Sequence, residues 1–399
     1  MNQSKRMDPI SKRRLAFQLG VATCARLLIN TSRRFAYPFA SALSRGLGVP
    51  LAAITSLIAV NQMTGVVSPV FGSLGDRWGY RAMMLAGVGM LTLGMLAGGL
   101  LPAYGMVLLA LLLAGMAKSV FDPALQAYLG ERVPYQRRGL AIGLAEFAWA
   151  GSALVGLPAV GLLIERLGWR SPFLVLGGLG LLSAIALWIL IPNDKRRQRG
   201  PDDPQSVLQA WQRLSRERAV LGALAFGLLI SVANDNLFVV YGAWLESAFG
   251  LTVAALGAAT TVIGVAELLG EGLTASIADR LGLKRALVVG SILSALSYAL
   301  LPLVGRTLPL TLAGLFTTFL TFEFTVVTSF SLFTEILPTA RGTMMSSNMA
   351  ASSIGRVIGA LVGGQVWLAG GLPATGFVSA AVTGLALVLL LWGLRDWRD

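Results

Sequence analysis

"GSLGDRWGYR", residues 72–81, sets three glycines, two arginines and an aspartate between two strongly apolar stretches, and "ASIADRLGLKR", 275–285, repeats the pattern about 204 positions later. The flanks decide what such a segment is. Ala82 to Leu101, Pro172 to Ile191 and Leu372 to Leu394 are uncharged runs. Each is about the 20 residues that cross roughly 30 Å of hydrocarbon at 1.5 Å per residue. Lipid supplies no hydrogen-bond partners, so such runs must be helices. The two charged segments then read as tight connections between membrane-crossing helices, with Gly79 and Gly282 allowing the turn.

Composition agrees. Of 399 residues, 55% are hydrophobic and 13% charged, with 47 glycines and a mean hydropathy of +0.72, far too apolar for a soluble chain of this size. Twelve apolar segments are expected, centred near residues 28, 60, 92, 116, 151, 181, 232, 264, 295, 320, 355 and 383. With that count the termini and alternate loops hold 23 of the 32 Lys and Arg, and the opposite loops hold only Arg45, Arg166, Arg170 and Arg306. By the positive-inside rule both termini are cytoplasmic, in a multi-pass protein of the inner (plasma) membrane. The net charge of +13 therefore serves topology and anionic lipid rather than nucleic acid. The basic N-terminus lacks a small-residue cleavage site after its apolar run, so a retained first helix is expected.

The single cysteine, Cys24, excludes an internal disulfide, and the lack of histidine removes the commonest zinc ligand and proton carrier. No cofactor or metal is expected, and carboxylates are left to carry protons near neutral pH.

Sliding the second half onto the first aligns Asn30 with Asn234, Tyr37 with Tyr241 and Gly46-Leu47 with Gly250-Leu251, while "ERVPYQRRG" at 131 matches "EILPTARG" at 335. Charged loops in register indicate a parallel duplication. The reading is an all-α membrane protein of two pseudo-symmetric six-helix bundles, 1–192 and 219–399, joined by a polar, basic linker at 193–218. Val207, Leu208, Trp211 and Leu214 lie at helical spacing in that linker, suiting either a short amphipathic helix on the membrane surface or a tether.

Gly72, Leu74, Asp76, Arg77, Gly79 and Arg81, with Asp279, Arg280, Gly282, Lys284 and Arg285 in the second copy, resemble the signature loop of the major facilitator superfamily, Tyr80 replacing its usual arginine. The resemblance covers the whole chain. It implies a transporter whose two bundles rock about a central site, most simply a monomer, with these loop residues as gating elements. Asp76 would help close the cytoplasmic side against Arg77, Arg81 or the helix start near Gly342 to Ser347.

Eleven ionisable residues fall within expected spans: Arg26, Arg33, Arg34, Lys118, Arg356, Asp122, Glu146, Asp235, Glu267, Glu271 and Glu323. At about 2.5–3.5 kcal/mol each at a helix centre, they should face protein or water rather than lipid. Arg26, Asn30, Arg33, Arg34 and Tyr37 recur on one face of the first span, and by the resemblance that span lines the cavity. They are candidate substrate contacts, with Pro38 ending the helix; Arg33 or Arg34 could instead snorkel to the surface. Asn234, Asp235 and Tyr241 are their counterparts on the seventh span, where Asn-Asp-Asn favours local unwinding and Asp235 has an arginine of the first span as an expected partner. Lys118 and Asp122 can pair along one helix. Glu267, with Glu146 and Glu323 behind it, is the candidate proton carrier, because Glu267 and Glu271 at the same spacing repel.

The fifth span, "GSALVGLPAVG", matches only in part the Gly-Pro run of drug/proton antiporters, since Leu157 separates Gly156 from Pro158. Leu111 stands where that group has a basic residue. With no nucleotide loop, metal constellation or Ser/His arrangement, the sequence favours a transporter over an enzyme, with a receptor or structural membrane protein as the competing class. Proton-coupled efflux of a small organic solute is the first reading, and uptake of an anionic metabolite held by Arg26 and Arg33 the second.

Overall fold

A computed structural model describes residues 12–67, 71, 78–132, 147–192, 217–336 and 341–395. Of the sequence expectations, Gly72, Asp76, Arg77, Glu146 and the linker to residue 216 lie outside the described residues, as do the side chains of Asp279 and of 341–343.

The described chain is helical throughout, with no strand among the described residues. Its helices are α1 (Lys12–Arg34), α2 (Ala40–Leu47), α3 (Leu51–Met63), α4 (Tyr80–Leu100) and α5 (Tyr104–Arg132), then α6 (Phe147–Leu167) and α7 (Ser171–Leu190). The second half adds α8 (Arg218–Phe238), α9 (Tyr241–Phe249), α10 (Val253–Leu273), α11 (Leu283–Val304), α12 (Leu308–Ile336) and α13 (Arg341–Gly393). Nine helices are long and apolar enough to cross a membrane among the described residues, or ten when α2 and α3 with its 3-10 extension, bent by 117°, count as one span. α1 misses that set because Arg26, Arg33 and Arg34 interrupt it. α13 runs for 53 residues and is broken by non-helical Gly370 and Gly371; unbroken, it would be more than twice the thickness of a bilayer core.

Among the described residues, six glycines have positive φ, at 48, 79, 168, 250, 282 and 371. They pair as Gly48 with Gly250, Gly79 with Gly282 and Gly168 with Gly371, separated by 202, 203 and 203 positions. A side chain costs least to omit where φ is left-handed, so the same turn is encoded twice. Side chains repeat it too. Arg81, just after Gly79, donates to the carbonyl of Trp188 near the end of α7. Lys284, just after Gly282, donates to the carbonyl of Leu394 at the end of α13, 3.1 Å away. These basic groups meet the negative ends of helix dipoles. Arg280 and Arg285 of the same loop are exposed.

Both halves also break their first long helix. α1 ends at Arg34, the chain turns through Phe35–Phe39 and α2 follows; α8 ends at Phe238 and α9 begins at Tyr241. Pro38 accounts for the first break. The second does not fall where Asn-Asp-Asn suggested: residues 234–236 remain helical, and the turn comes at Val239–Val240. Asn236 explains the difference. Its Nδ2 donates to the carbonyl of Thr375 (3.1 Å) and to Ser379 Oγ (3.0 Å) on α13, so the amide is spent on a neighbouring helix instead of competing with its own backbone.

α13 lies against α8 on a small-residue face. A Cβ on Gly359 would stand 2.7 Å from the Val232 carbonyl and 2.9 Å from Asp235 Cβ, and one on Gly363 would stand 2.6 Å from the Asn236 carbonyl. Gly355, Gly359 and Gly363 stand four apart in the sequence, the spacing that puts small residues on one helix face and lets backbones approach this closely.

Candidate functional site

The two parts of the chain meet at the end that carries Gly48 and Gly250. Arg45 Nη1 pairs with Glu246 Oε1 at 2.7 Å, and Glu165 Oε2 accepts from the Ala254 amide at 2.7 Å in the first turn of α10. α6 and α10 touch nearly backbone to backbone, with the Gly161 Cβ position 2.9 Å from the Val253 carbonyl and that of Gly257 3.1 Å from the Leu157 carbonyl. Deeper, Thr260 Oγ1 donates to Gly257 O in its own helix at 2.6 Å and lies 3.4 Å from the Ala153 carbonyl of α6. The closure continues inward to a set of buried charges.

Arg34 lies at its centre. Nη2 and Nη1 reach Glu267 Oε1 and Oε2 at 2.7 and 3.1 Å, and Nη1 also donates to the Trp149 carbonyl (3.2 Å) and Ser152 Oγ (3.3 Å). The guanidinium stacks over Trp149 at 4.3 Å and lies 5.7 Å from the Phe238 ring. Both partners are sealed, the side chains being 3% and 5% exposed. Ser152, one of the acceptors of Arg34, opens a π turn of α6 at Ser152–Gly156, just ahead of Pro158, which has no amide to donate back into the helix. Glu271 and Glu323 are half-buried, and a Cβ on Gly270 would stand 2.8 Å from Glu323 Cβ, which places α12 against α10 at this level.

Arg33 faces the other way. Nε donates to Asn61 Oδ1 at 3.2 Å and Nη2 to Gln62 Oε1. Gln62 Nε2 donates to Tyr37 Oη, which donates to Asp235 Oδ1 at 2.7 Å. Asn234 Nδ2 lies 3.4 Å from the second carboxylate oxygen. The expected arginine partner of Asp235 is thus replaced by a tyrosine hydroxyl, because Arg33 is turned onto the amides of α3. Tyr37 itself lies in the break after α1, not on its helical face. Neither arginine snorkels; Arg33 is 9% and Arg34 2% exposed.

Arg26 and Asn30 form a third group. Arg26 grips Asp122 through Nε (3.0 Å) and Nη2 (3.2 Å). Lys118 Nζ reaches the same carboxylate at 2.8 Å and Asn30 Oδ1 at 2.7 Å, and lies 5.1 Å from the Trp149 ring. The helical pair Lys118–Asp122 is therefore one side of a triad with two cations and one anion. Tyr241 contributes its ring, stacked on Phe238 at 5.2 Å, which also meets Tyr37 at 4.5 Å and Phe319 at 5.4 Å.

The stripe on the first span thus divides among three networks. Sequence reasoning missed Asn61, Gln62, Trp149 and Ser152, which carry no charge to mark them. Arg356 was visible as a charge but not as part of this set. It is half-buried on α13, and its charge acts on Asp235, Arg33, Tyr37 and Glu323.

Comparison with known proteins adds the family. The model of the Major Facilitator Superfamily matches twice, over residues 22–242 and 224–398. An uncharacterized MFS-type transporter of Bacillus subtilis (strain 168), YceJ, is 28% identical over 333 residues, 82% of each chain. The inner membrane transport protein YdhP of Escherichia coli (strain K12) is 26% identical, covering 88% of this chain and 90% of its own. The multi-drug resistance efflux pump PmrA homolog of Lactococcus lactis subsp. lactis (strain IL1403) is 24% identical over 84% of this chain and 82% of its own. Among solved structures, a bacterial homolog of the human lysosomal transporter Spinster superposes with a TM-score of 0.74 at 15% identity, covering 96% of both chains.

Proposed function

The chain belongs to the major facilitator superfamily, and from that premise we propose that it is a secondary active transporter, moving a small organic solute by alternating access in proton-coupled efflux. One observation carries the coupling: the Arg34–Glu267 pair joins α1 to α10 while buried from solvent. When the halves part, the pair must break, and an unpaired buried charge costs about 3–5 kcal/mol. A proton on Glu267, or a cationic group of the solute beside it, removes that cost. Either occupant licenses the movement, and alternation between them is exchange.

Several features support the architecture behind this reading. α1, the α2–α3 pair and the two parts of α13 on either side of Gly370–Gly371 complete twelve spans, six on each side of the linker. The paired turn glycines and the matching Arg81 and Lys284 contacts support two related bundles, 1–192 and 219–399. The positive-inside pattern puts the Gly48/Gly250 end outside and both termini in the cytoplasm, so the closure described above faces outward and the carrier is poised toward the cell interior. The loops at Gly79 and Gly282 are then the cytoplasmic gating segments, in a protein that works as a monomer. The relatives named as efflux or inner membrane transport proteins favour export across the inner membrane.

A second reading, uptake of an anionic metabolite, is favoured by Arg33, which donates to the neutral side-chain amides of Asn61 and Gln62. Arg26, already held by Asp122, is the weaker candidate for such a role. Everted membrane vesicles containing the chain separate the two. Efflux predicts that they accumulate ethidium under an imposed proton gradient and that Glu267→Gln does not. Exchange of labelled organic acids abolished by Arg33→Gln but untouched by Glu267→Gln supports uptake instead.

A further inference from the structure

We propose that the second half of the chain binds an ordered internal water between α8 and α11, held by Asn236, Ser294 and Tyr298 and separate from the charged networks described above. All three side chains are fully buried, at 0% exposure. Asn236 Oδ1, Ser294 Oγ and Tyr298 Oη have no hydrogen-bond partner among the described residues. Buried polar atoms in that state are strongly disfavoured, and one small polar ligand can serve all three. Two contacts bring them together. Ser294 and Tyr298 stand four apart on α11 and so share a face. Asn236 reaches from α8 to Thr375 and Ser379 of α13, and the same stretch of α13 meets α11 at Tyr298, whose carbonyl lies 2.7 Å from the Cβ position of Gly376. The charge of Asp235, next to Asn236, bears on the Tyr298 hydroxyl.

The chemistry of these atoms selects the ligand. The Thr375 carbonyl can only accept, so Asn236 must keep its amino group there and offer its oxygen as an acceptor. Each hydroxyl brings a hydrogen as well as lone pairs. A cation would serve the lone pairs and strand both hydrogens. Water accepts from Ser294 and Tyr298 and donates to Asn236, which makes about three bonds, the usual number for a buried water. Polar groups too far apart to bond directly are joined in this way.

Neighbouring residues behave differently. Ser291, Thr318, Thr325, Thr375 and Thr383 are equally buried, and each donates to a carbonyl four residues back in its own helix, an ordinary outlet for a helical hydroxyl. Ser294 makes no such bond. In the first half, 203 positions back by the register of Gly79 and Gly282, the corresponding residues are Leu91 and Met95, both buried. The repeat therefore packs without hydroxyls at these positions, and the second half departs from it in a way that suits a polar ligand. Through the water Asn236 fastens α8 to α11, as its amino group fastens α8 to α13.

Radiolytic labelling tests this without a substrate. A short X-ray pulse splits water where it lies, and a tyrosine in contact with that water gains an oxygen that mass spectrometry locates. The purified parent protein in Na+ buffer is expected to be labelled at Tyr298 and not at Tyr128, which is as deeply buried but bonded directly to Gln18 at 2.8 Å. When heavy-oxygen water is mixed in just before the pulse, the oxygen gained at Tyr298 should still be the ordinary isotope, because a sealed water exchanges slowly. Ser294→Ala should reduce the label, and Ser294→Ala with Asn236→Leu, which removes two of the three partners, should abolish it. A parent protein in which Tyr298 is as silent as Tyr128 overturns the proposal. Heavy oxygen at Tyr298 overturns it too, since that requires access from bulk, as does label that appears only when choline replaces Na+, since that places a cation in the site.

Discussion

Arg34 and Glu267 illustrate how buried charge behaves at the level of single side chains. The pair gains little over an apolar pair of the same volume, yet removal of one partner strands the other. Glu267→Ala should therefore lower the thermal unfolding temperature of the purified protein more than the double change Arg34→Met with Glu267→Met, a difference on the order of 3 kcal/mol. Equal losses would mean that Arg34 finds another anion. Much of this site was legible beforehand. An arginine inside a lipid-spanning segment has few explanations, so Arg26, Arg33, Arg34, Asp235 and Glu267 announced themselves by cost alone. Their pairing did not. Which of two adjacent arginines turns to α3 and which to α10 depends on rotation about α1, and the amides and carbonyl that receive them, at Asn61, Gln62 and Trp149, carry no signal of charge.

Helices in this molecule are positioned by glycine and proline more than by hydrophobic pattern, since lipid and core are equally apolar. Gly359 is the sharpest example, wedged between the Val232 carbonyl and Asp235. Gly359→Val should separate α13 from α8 and lower the yield of folded protein, while Gly20→Ala, with nothing within 4 Å of its Cβ position, should be neutral; fluorescence-detected gel filtration of both variants distinguishes these outcomes. The spacing of Gly355, Gly359 and Gly363 made this interface readable in the sequence. The break after α8 was not, because Asn236 looks like a helix breaker until its partners on α13 are known. Apolar length also misleads in both directions: α1 carries too much charge to register as a span, and α13 runs through a turn that only the backbone angles at Gly370 and Gly371 reveal.

Across the whole molecule, the repeated turns and basic loop residues are what the proposed pair of related bundles with one orientation requires. Reporter fusions at residue 1 and residue 399 should both be active as cytoplasmic fusions and inactive as periplasmic ones, and opposite locations for the two would remove the even-numbered topology. The proposed alternating access requires these bundles to separate at the end where Arg45 meets Glu246. That surface pair, with Arg45 60% exposed, is worth no more than about 1 kcal/mol, so the buried network beneath it must set the balance. The most direct measurement is the rate at which a membrane-impermeant maleimide, added from the Gly48/Gly250 side, labels Thr260→Cys in a Cys24→Ser background. Thr260 is sealed between α6 and α10, so labelling requires the halves to part. The account predicts slow labelling that quickens by roughly tenfold or more when Glu267→Gln breaks the Arg34 pair; a cysteine that is never labelled from that side in either background would contradict it.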